Sequence, residues 1–162
     1  MSPAGALRVR LRPFAREEAR LVASWVRSPE ELAGFLGGTE NWPLSGEALL
    51  DAIEKPEVTA WTAVATSAPE PVLGHIERVK VSEQEARLVR VILAPSARGK
   101  GLARELVEAA IAELENDGFA RASLFVVPGN DAAERAYRAS GFAEEPSPHP
   151  VWKRMTRALA PR

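Results

Sequence analysis

The 162-residue sequence contains no cysteine. That one absence excludes disulfides, thiolate metal sites and cysteine nucleophiles together, and it fits a reducing cytoplasm. Only two histidines are present, so a metal centre is not expected either. There is no excess of charge of one sign: 21 Lys and Arg stand against 22 Asp and Glu, a net charge of −1. Nucleic-acid-binding domains usually carry a clear basic excess, so that class is disfavoured. No apolar run approaches the roughly 20 residues of a membrane span. Residues Met1 to Val9 lack the apolar core and cleavage pattern of a signal peptide. No internal repeat of useful length is found, and no G-x-S-x-G nucleophile elbow.

What is present suits one globular domain over residues 1–162, with 46% hydrophobic and 27% charged residues. Leu7, Val9 and Leu11 alternate with Arg8, Arg10 and Arg12, a half-buried strand stopped by Pro13. Residues 15–26 have helical apolar spacing. Ser28-Pro29 begins a second helix, with Glu31 completing a capping box, and Gly37-Gly38 ends it. Trp42-Pro43-Leu44-Ser45 is a loop, and Ser45 caps a third helix over Glu47 to Ile53. Strands follow over Val58 to Ala65, Val72 to Val81 and Arg87 to Leu93, an antiparallel meander with turns at Ala68-Pro69 and Glu83-Gln84. A long helix over 99–116 carries the apolar stripe Leu102, Ala103, Leu106, Val107, Ala110, Ile111 and Leu114, and Gly118 stops it. Ala122 to Val127 is a buried strand, Asn130 caps a helix to Ser140, and Phe142 and Val151 to Leu159 supply the last strands. The order implies a mixed α/β (α+β) sheet flanked by helices.

The most informative segment is Arg98-Gly99-Lys100-Gly101-Leu102-Ala103, between the strand Val89 to Leu93 and the long helix. Helix-initiating N–H groups have no intrahelical partner and lie at the positive end of the dipole. Arg98, Lys100 and Arg104 crowd that end, while Glu113, Glu115 and Asp117 crowd the other, the reverse of what the dipole favours. A bound polyanion such as a pyrophosphate is the simplest compensation. A plain turn is the alternative. A P-loop is excluded because Leu102 follows Gly101 where Lys should stand. A dinucleotide fingerprint is excluded because Arg104 occupies the last glycine position.

Arg98-x-x-Gly101-x-Ala103 after an apolar strand resembles the acetyl-CoA signature of the GNAT N-acetyltransferases, (Q/R)-x-x-G-x-(G/A). Asn130-x-x-Ala133-x-x-x-Tyr137-x-x-x-Gly141-Phe142 resembles that family's later N-x-x-A-x-x-x-Y-x-x-x-G-F motif, in the family's order and separation. The match covers about residues 72–143. The resemblance implies a single-domain GNAT fold, with a mostly antiparallel sheet and one splayed parallel pair at 87–93 and 121–127. It implies acetyl-CoA as cofactor. Backbone groups of Val91, Ile92 and Leu93 would hold the pantetheine arm, and the loop Gly99, Lys100, Gly101, Leu102, Ala103, Arg104 the pyrophosphate. Asn130 would lie near the pantetheine, and Tyr137 would protonate the departing thiolate. A phenol of pKa about 10 is protonated at neutral pH and suits that task, although helical spacing alone would also bury it.

The base is less defined. The Glu that some protein N-terminal acetyltransferases of the family carry falls here on Phe125. Glu77 and His75 alternate onto one face of their strand, where a base or a water would sit. Glu77 is equally readable as a solvated strand residue paired with Arg78 or Arg90, His75 as a satisfied histidine, and a water chain needs neither. Trp25, Phe35 and Trp42 fall in the segment that forms the acceptor wall in the family. Trp25 reads as packing, and Trp42 is the better wall residue. The implied function is direct acetyl transfer to a primary amine of a small molecule or a protein N-terminus, without nucleic acid or membrane. The alternative is a non-catalytic acyl-CoA binding or sensing module. Monomer and homodimer are both open.

Overall fold

Alternating and β-branched segments form the strands β1 (Val9–Pro13), β2 (Val58–Ala65), β3 (Val72–Lys80) and β4 (Glu85–Leu93). Three more follow, β5 (Arg121–Val126), β6 (Ala143–Glu145) and β7 (Lys153–Ala158). The computed structural model describes residues 8–36, 42–67 and 70–162. Within them the strands make one seven-stranded sheet in the order β1-β2-β3-β4-β5-β7-β6. Every neighbouring pair is antiparallel except β4 and β5. That pair is parallel and joined only at Glu85↔Arg121, Ala86↔Ala122 and Arg87↔Ser123. From Leu88 onward the two strands part. The implied splayed pair is therefore present, with β4 starting two residues earlier than its apolar run because its joined end begins at Glu85.

A β-bulge lies within the parted stretch of β4. His75 pairs with Ile92 and Glu77 with Val89, so the single residue Ile76 faces both Arg90 and Val91. Arg90 has φ 48°, the one non-glycine residue with positive φ among the described residues. A bulge bends its strand and sharpens the local twist, and this one lies just past the last β4–β5 pair.

The helices are α1 (Ala19–Ser24), α2 (Pro29–Leu36), α3 (Gly46–Ile53), α4 (Leu102–Asn116) and α5 (Asp131–Ala139). The expected caps form. Ser28 Oγ accepts from Glu31 N at 3.1 Å, Ser45 Oγ from Ala48 N at 3.1 Å, and Asn130 Oδ1 from Ala133 N at 3.3 Å. The Ser28 box is half made, because the Glu31 side chain instead accepts from Arg27 Nε at 3.1 Å. The helix expected over 15–26 is divided into a 3₁₀ turn at Arg16–Glu18 and the short α1. The Glu18 carboxylate reaches back to Ala15 N, 3.1 Å, and fixes that tighter first turn. The expected helix over 99–116 begins only at Leu102, since Gly99 and Gly101 have φ 75° and 74°, incompatible with a right-handed helix. The last strand starts at Lys153 instead of Val151, because the preceding loop bonds to itself: His149 Nδ1 accepts from Val151 N and Trp152 N at 3.0 and 2.8 Å. Leu7, Gly37-Gly38 and the turn Ala68-Pro69 lie outside the described residues.

α4 packs against β1, β3 and β4. Its stripe Leu102, Leu106, Val107, Ala110, Ile111 and Leu114 is buried as spaced, in one core with Ile76, Leu124 and Met155. Truncating such a leucine to alanine costs about 2–5 kcal/mol. No helix among the described residues is long and apolar enough to cross a membrane.

Candidate active site

Beyond Arg87, the edge of β4 that faces β5 has no ladder partner among the described residues, so its backbone groups at Val91, Ile92 and Leu93 border the gap. The other edge is locked to β3. There Gly74 allows a close approach: a Cβ on it would stand 2.9 Å from Ile92 O. An isolated glycine inside a strand signals such an approach, and the sequence reading passed over it.

Arg98 does not project from the turn. Its Nε donates to Leu93 O at 3.1 Å and its Nη2 to Trp25 O at 2.9 Å. Burial, with Arg27 nearby, lowers its pKa. Arg98 is thus a strut joining the end of β4 to the end of α1. The reversed-charge reading of α4 is accordingly corrected. Lys100 and Arg104 stay exposed at its start, but Glu105 also occupies the first turn, where its carboxylate takes Arg8 N at 2.6 Å and Arg8 Nε at 2.8 Å. At the other end Glu115 is occupied by Ala160 N, 2.9 Å.

The loop before α4 has the form an anion needs. Positive φ, not crowding, demands glycine at 99 and 101, for a Cβ there would meet nothing within 4 Å. Open space above the loop, the first N–H groups of a 15-residue helix without a side-chain cap among the described residues, and two exposed cations together could hold a diphosphate. The gap beside Val91 to Leu93 gives an extended arm an unpaired strand edge to lie along.

On β3, His75 and Glu77 are fully buried. Glu77 is therefore not a solvated residue. Its Oε1 accepts from Arg90 Nε at 2.6 Å and its Oε2 from His75 Nε2 at 2.7 Å. Arg78 is not the partner; its guanidinium lies over the Phe119 ring, 5.4 Å from the centroid. Each Glu77 oxygen already has a partner, and the side chain is closed off from solvent. Phe125 lies beneath the Arg87 guanidinium at 5.1 Å.

Asn130 caps α5 just beyond the end of β5, at the far side of the gap. Tyr137, two turns later, packs against Phe142 with ring centroids 6.1 Å apart. Burial pushes its phenol up to about 12, so it holds its proton across the ordinary pH range. Trp25 and Phe35 belong to the core, whereas Trp42 is 36% exposed.

The chain matches the acetyltransferase (GNAT) family over residues 3–142. Its fold is shared by spermidine N-acetyltransferase from Vibrio cholerae, solved with CoA and spermine: TM-score 0.74, 20% identity, 94% of this chain and 96% of that one. It is shared by AAC(6')-Ib, solved with ribostamycin and coenzyme A: TM-score 0.74, 17% identity, 93% of each chain. A domain from Methanocaldococcus jannaschii aligns with TM-score 0.79 at 14% identity, over 95% of this chain and 100% of that domain.

Proposed function

The chain belongs to the acetyltransferase (GNAT) family, and from that premise we propose that it moves an acetyl group from acetyl-CoA directly to a primary amine of a small molecule or a protein N-terminus. The observation that carries this reading is the gap that opens between β4 and β5 past Arg87, next to the glycine loop that starts α4. Small amines are the better-supported acceptors. The two enzymes of like fold were solved with spermine and with ribostamycin. The glutamate that would suggest a protein N-terminus is Phe125 here.

Acetyl-CoA supplies a thioester, activated toward amines, whose sulfur departs as the free thiol. The chain's own residues orient and neutralise. Backbone N–H groups from Gly99 to Arg104, with Lys100 and Arg104, bind the pyrophosphate. The unpaired edge of Val91 to Leu93, with Asn130 across the gap, aligns the pantetheine arm. Arg98 holds β4 in place from behind. As the N–C bond forms and the C–S bond breaks, the Tyr137 hydroxyl gives its proton to the sulfur. The proton shed by the amine nitrogen leaves through water and restores the phenol. The absence of cysteine excludes a cysteinyl acyl-enzyme and makes direct transfer the default.

The test is release of CoA thiol from acetyl-CoA across polyamines, aminoglycosides, amino acids and N-terminal peptides. A cysteine-free chain adds no background to a thiol reagent. Turnover with a small amine, well above the rate without acceptor, is expected. Donor binding without turnover on any acceptor would favour the non-catalytic module.

A further inference from the structure

We propose that Glu77 and Arg90 are positioning residues that hold β4 in its bulged form and so keep the donor gap open. The inference rests on the reading of that gap as the acetyl-CoA site. Arg90 adopts φ 48°, a conformation that crowds Cβ against backbone and that L side chains other than Asn and Asp seldom take. Something must hold it there. Its side chain is 14% exposed and its Nε donates to Glu77 Oε1 at 2.6 Å. Glu77 is held in turn by His75 Nε2 at 2.7 Å, and the His75 ring is closed off by the edge of Phe14, 5.1 Å between centroids.

The placement of these anchors is what gives the chain of contacts its meaning. His75 and Glu77 flank Ile76, the residue that faces the bulge, and their own register partners Ile92 and Val89 flank Arg90 and Val91. The ion pair therefore ties the bulged residue itself to Glu77, the register position at one flank of the irregularity, and His75 holds Glu77 from the other flank. Straightening β4 would shift one side of the ladder by a residue and turn its side chains to the opposite face. Fully buried between His75 and Arg90, Glu77 is better placed to stop that shift than to exchange a proton with a substrate.

Calorimetric titration of acetyl-CoA into the wild type and its variants tests this. Glu77→Gln should bind at least tenfold more weakly than wild type. Glu77→Gln combined with Arg90→Gly should recover most of the loss, because glycine takes positive φ unaided and the pair of changes leaves no unpaired buried charge. Removal of the unpaired Arg90 charge alone would restore binding equally with alanine at 90, so Glu77→Gln combined with Arg90→Ala should stay weak where the double variant with glycine recovers. Should Glu77→Gln not fold, by circular dichroism, the comparison of Arg90→Ala with Arg90→Gly decides: alanine should bind at least tenfold more weakly than glycine. Wild-type affinity in Glu77→Gln with turnover lost would make Glu77 the base and overturn the proposal. So would equal affinities in the alanine and glycine variants. No binding by the wild type would overturn the donor reading itself, and this inference with it.

Discussion

Two Arg–Glu contacts lie side by side in this sheet, a half-buried one in its closed half and a more deeply buried one where it opens. In the closed half, Arg12 donates to Glu18 through two nitrogens at 3.0 and 2.7 Å, and Thr62 Oγ1 donates to the same carboxylate at 2.8 Å. In the open half, Arg90, Glu77 and His75 repeat that chemistry. Thr62 and His75 are register partners, so the two groups nearly touch. What differs is the backbone beside them. Around Glu18 the β1–β2 ladder runs past Arg12 and Thr62 in unbroken register, the β2–β3 register shifts only beyond Thr62, between Ala63 and Val64, and no described non-glycine residue there has a positive φ. Beside Glu77 the backbone is bulged and left-handed. A buried ion pair alone says little about function; one that sits against a distorted strand next to a gap says more.

The comparison predicts that changes in the open half alter binding or turnover, and that changes in the closed half alter stability alone. The largest effect is expected at Gly101. Gly101→Leu combines an unfavourable positive φ with a side chain in the open space above the loop, and acetyl-CoA binding should become undetectable by calorimetry; retained affinity would break the assignment of that loop. Next, Tyr137→Phe should lower kcat by about 100-fold or more while donor affinity is kept. Turnover at the wild-type rate would remove Tyr137 from the chemistry.

In the closed half, hydrogen bonds from Arg12 above all, then from Thr62 and Ala15, hold Glu18 down to about 2 from an ordinary 4.5, against the opposing effect of burial. A depressed carboxyl stabilises the fold above its unfolded pKa and loses that contribution as pH falls from 4.5 toward 2. The loss is on the order of 3 kcal/mol. Urea unfolding at several pH values should show this loss in the wild type and a flatter dependence in Glu18→Gln, with acetyl-CoA affinity the same in both. A drop in affinity would mean that the two halves are not separable. The smallest effect is at Ser45, the cap of α3. Ser45→Ala should cost about 1 kcal/mol, read as a fall of about 2–4 °C in Tm, with kcat/KM unchanged.

Much of this was legible in the chain. The meander from β2 to β4, the stripe of α4 and the caps at Ser28, Ser45 and Asn130 follow from local rules of spacing and hydrogen bonding. The glycines at 99 and 101 marked the loop correctly, although only the φ values show why the helix waits until Leu102. The bulge left no trace, because Arg90 is neither glycine nor asparagine and its conformation is held by residues on another strand. Arg98 misled for a similar reason. A cation beside a glycine turn reads as a ligand for phosphate, yet Leu93 O and Trp25 O, the latter distant in sequence, turn it inward. Glu77 was placed on the correct face with Arg90 among its possible partners, but burial and the occupation of both oxygens are tertiary facts. Local patterns thus carried the closed half of the sheet, while the features that open the other half depend on contacts made across strands.

The most direct test of the central claim is the titration of acetyl-CoA into ¹⁵N-labelled protein, followed by amide chemical shifts. The amides of Val91 to Leu93 and of Gly99 to Arg104 should move first and most, together with Asn130 across the gap. Shifts absent from both segments, or confined to the 146–152 loop beside β7, would contradict the assignment of the β4–β5 gap as the donor site.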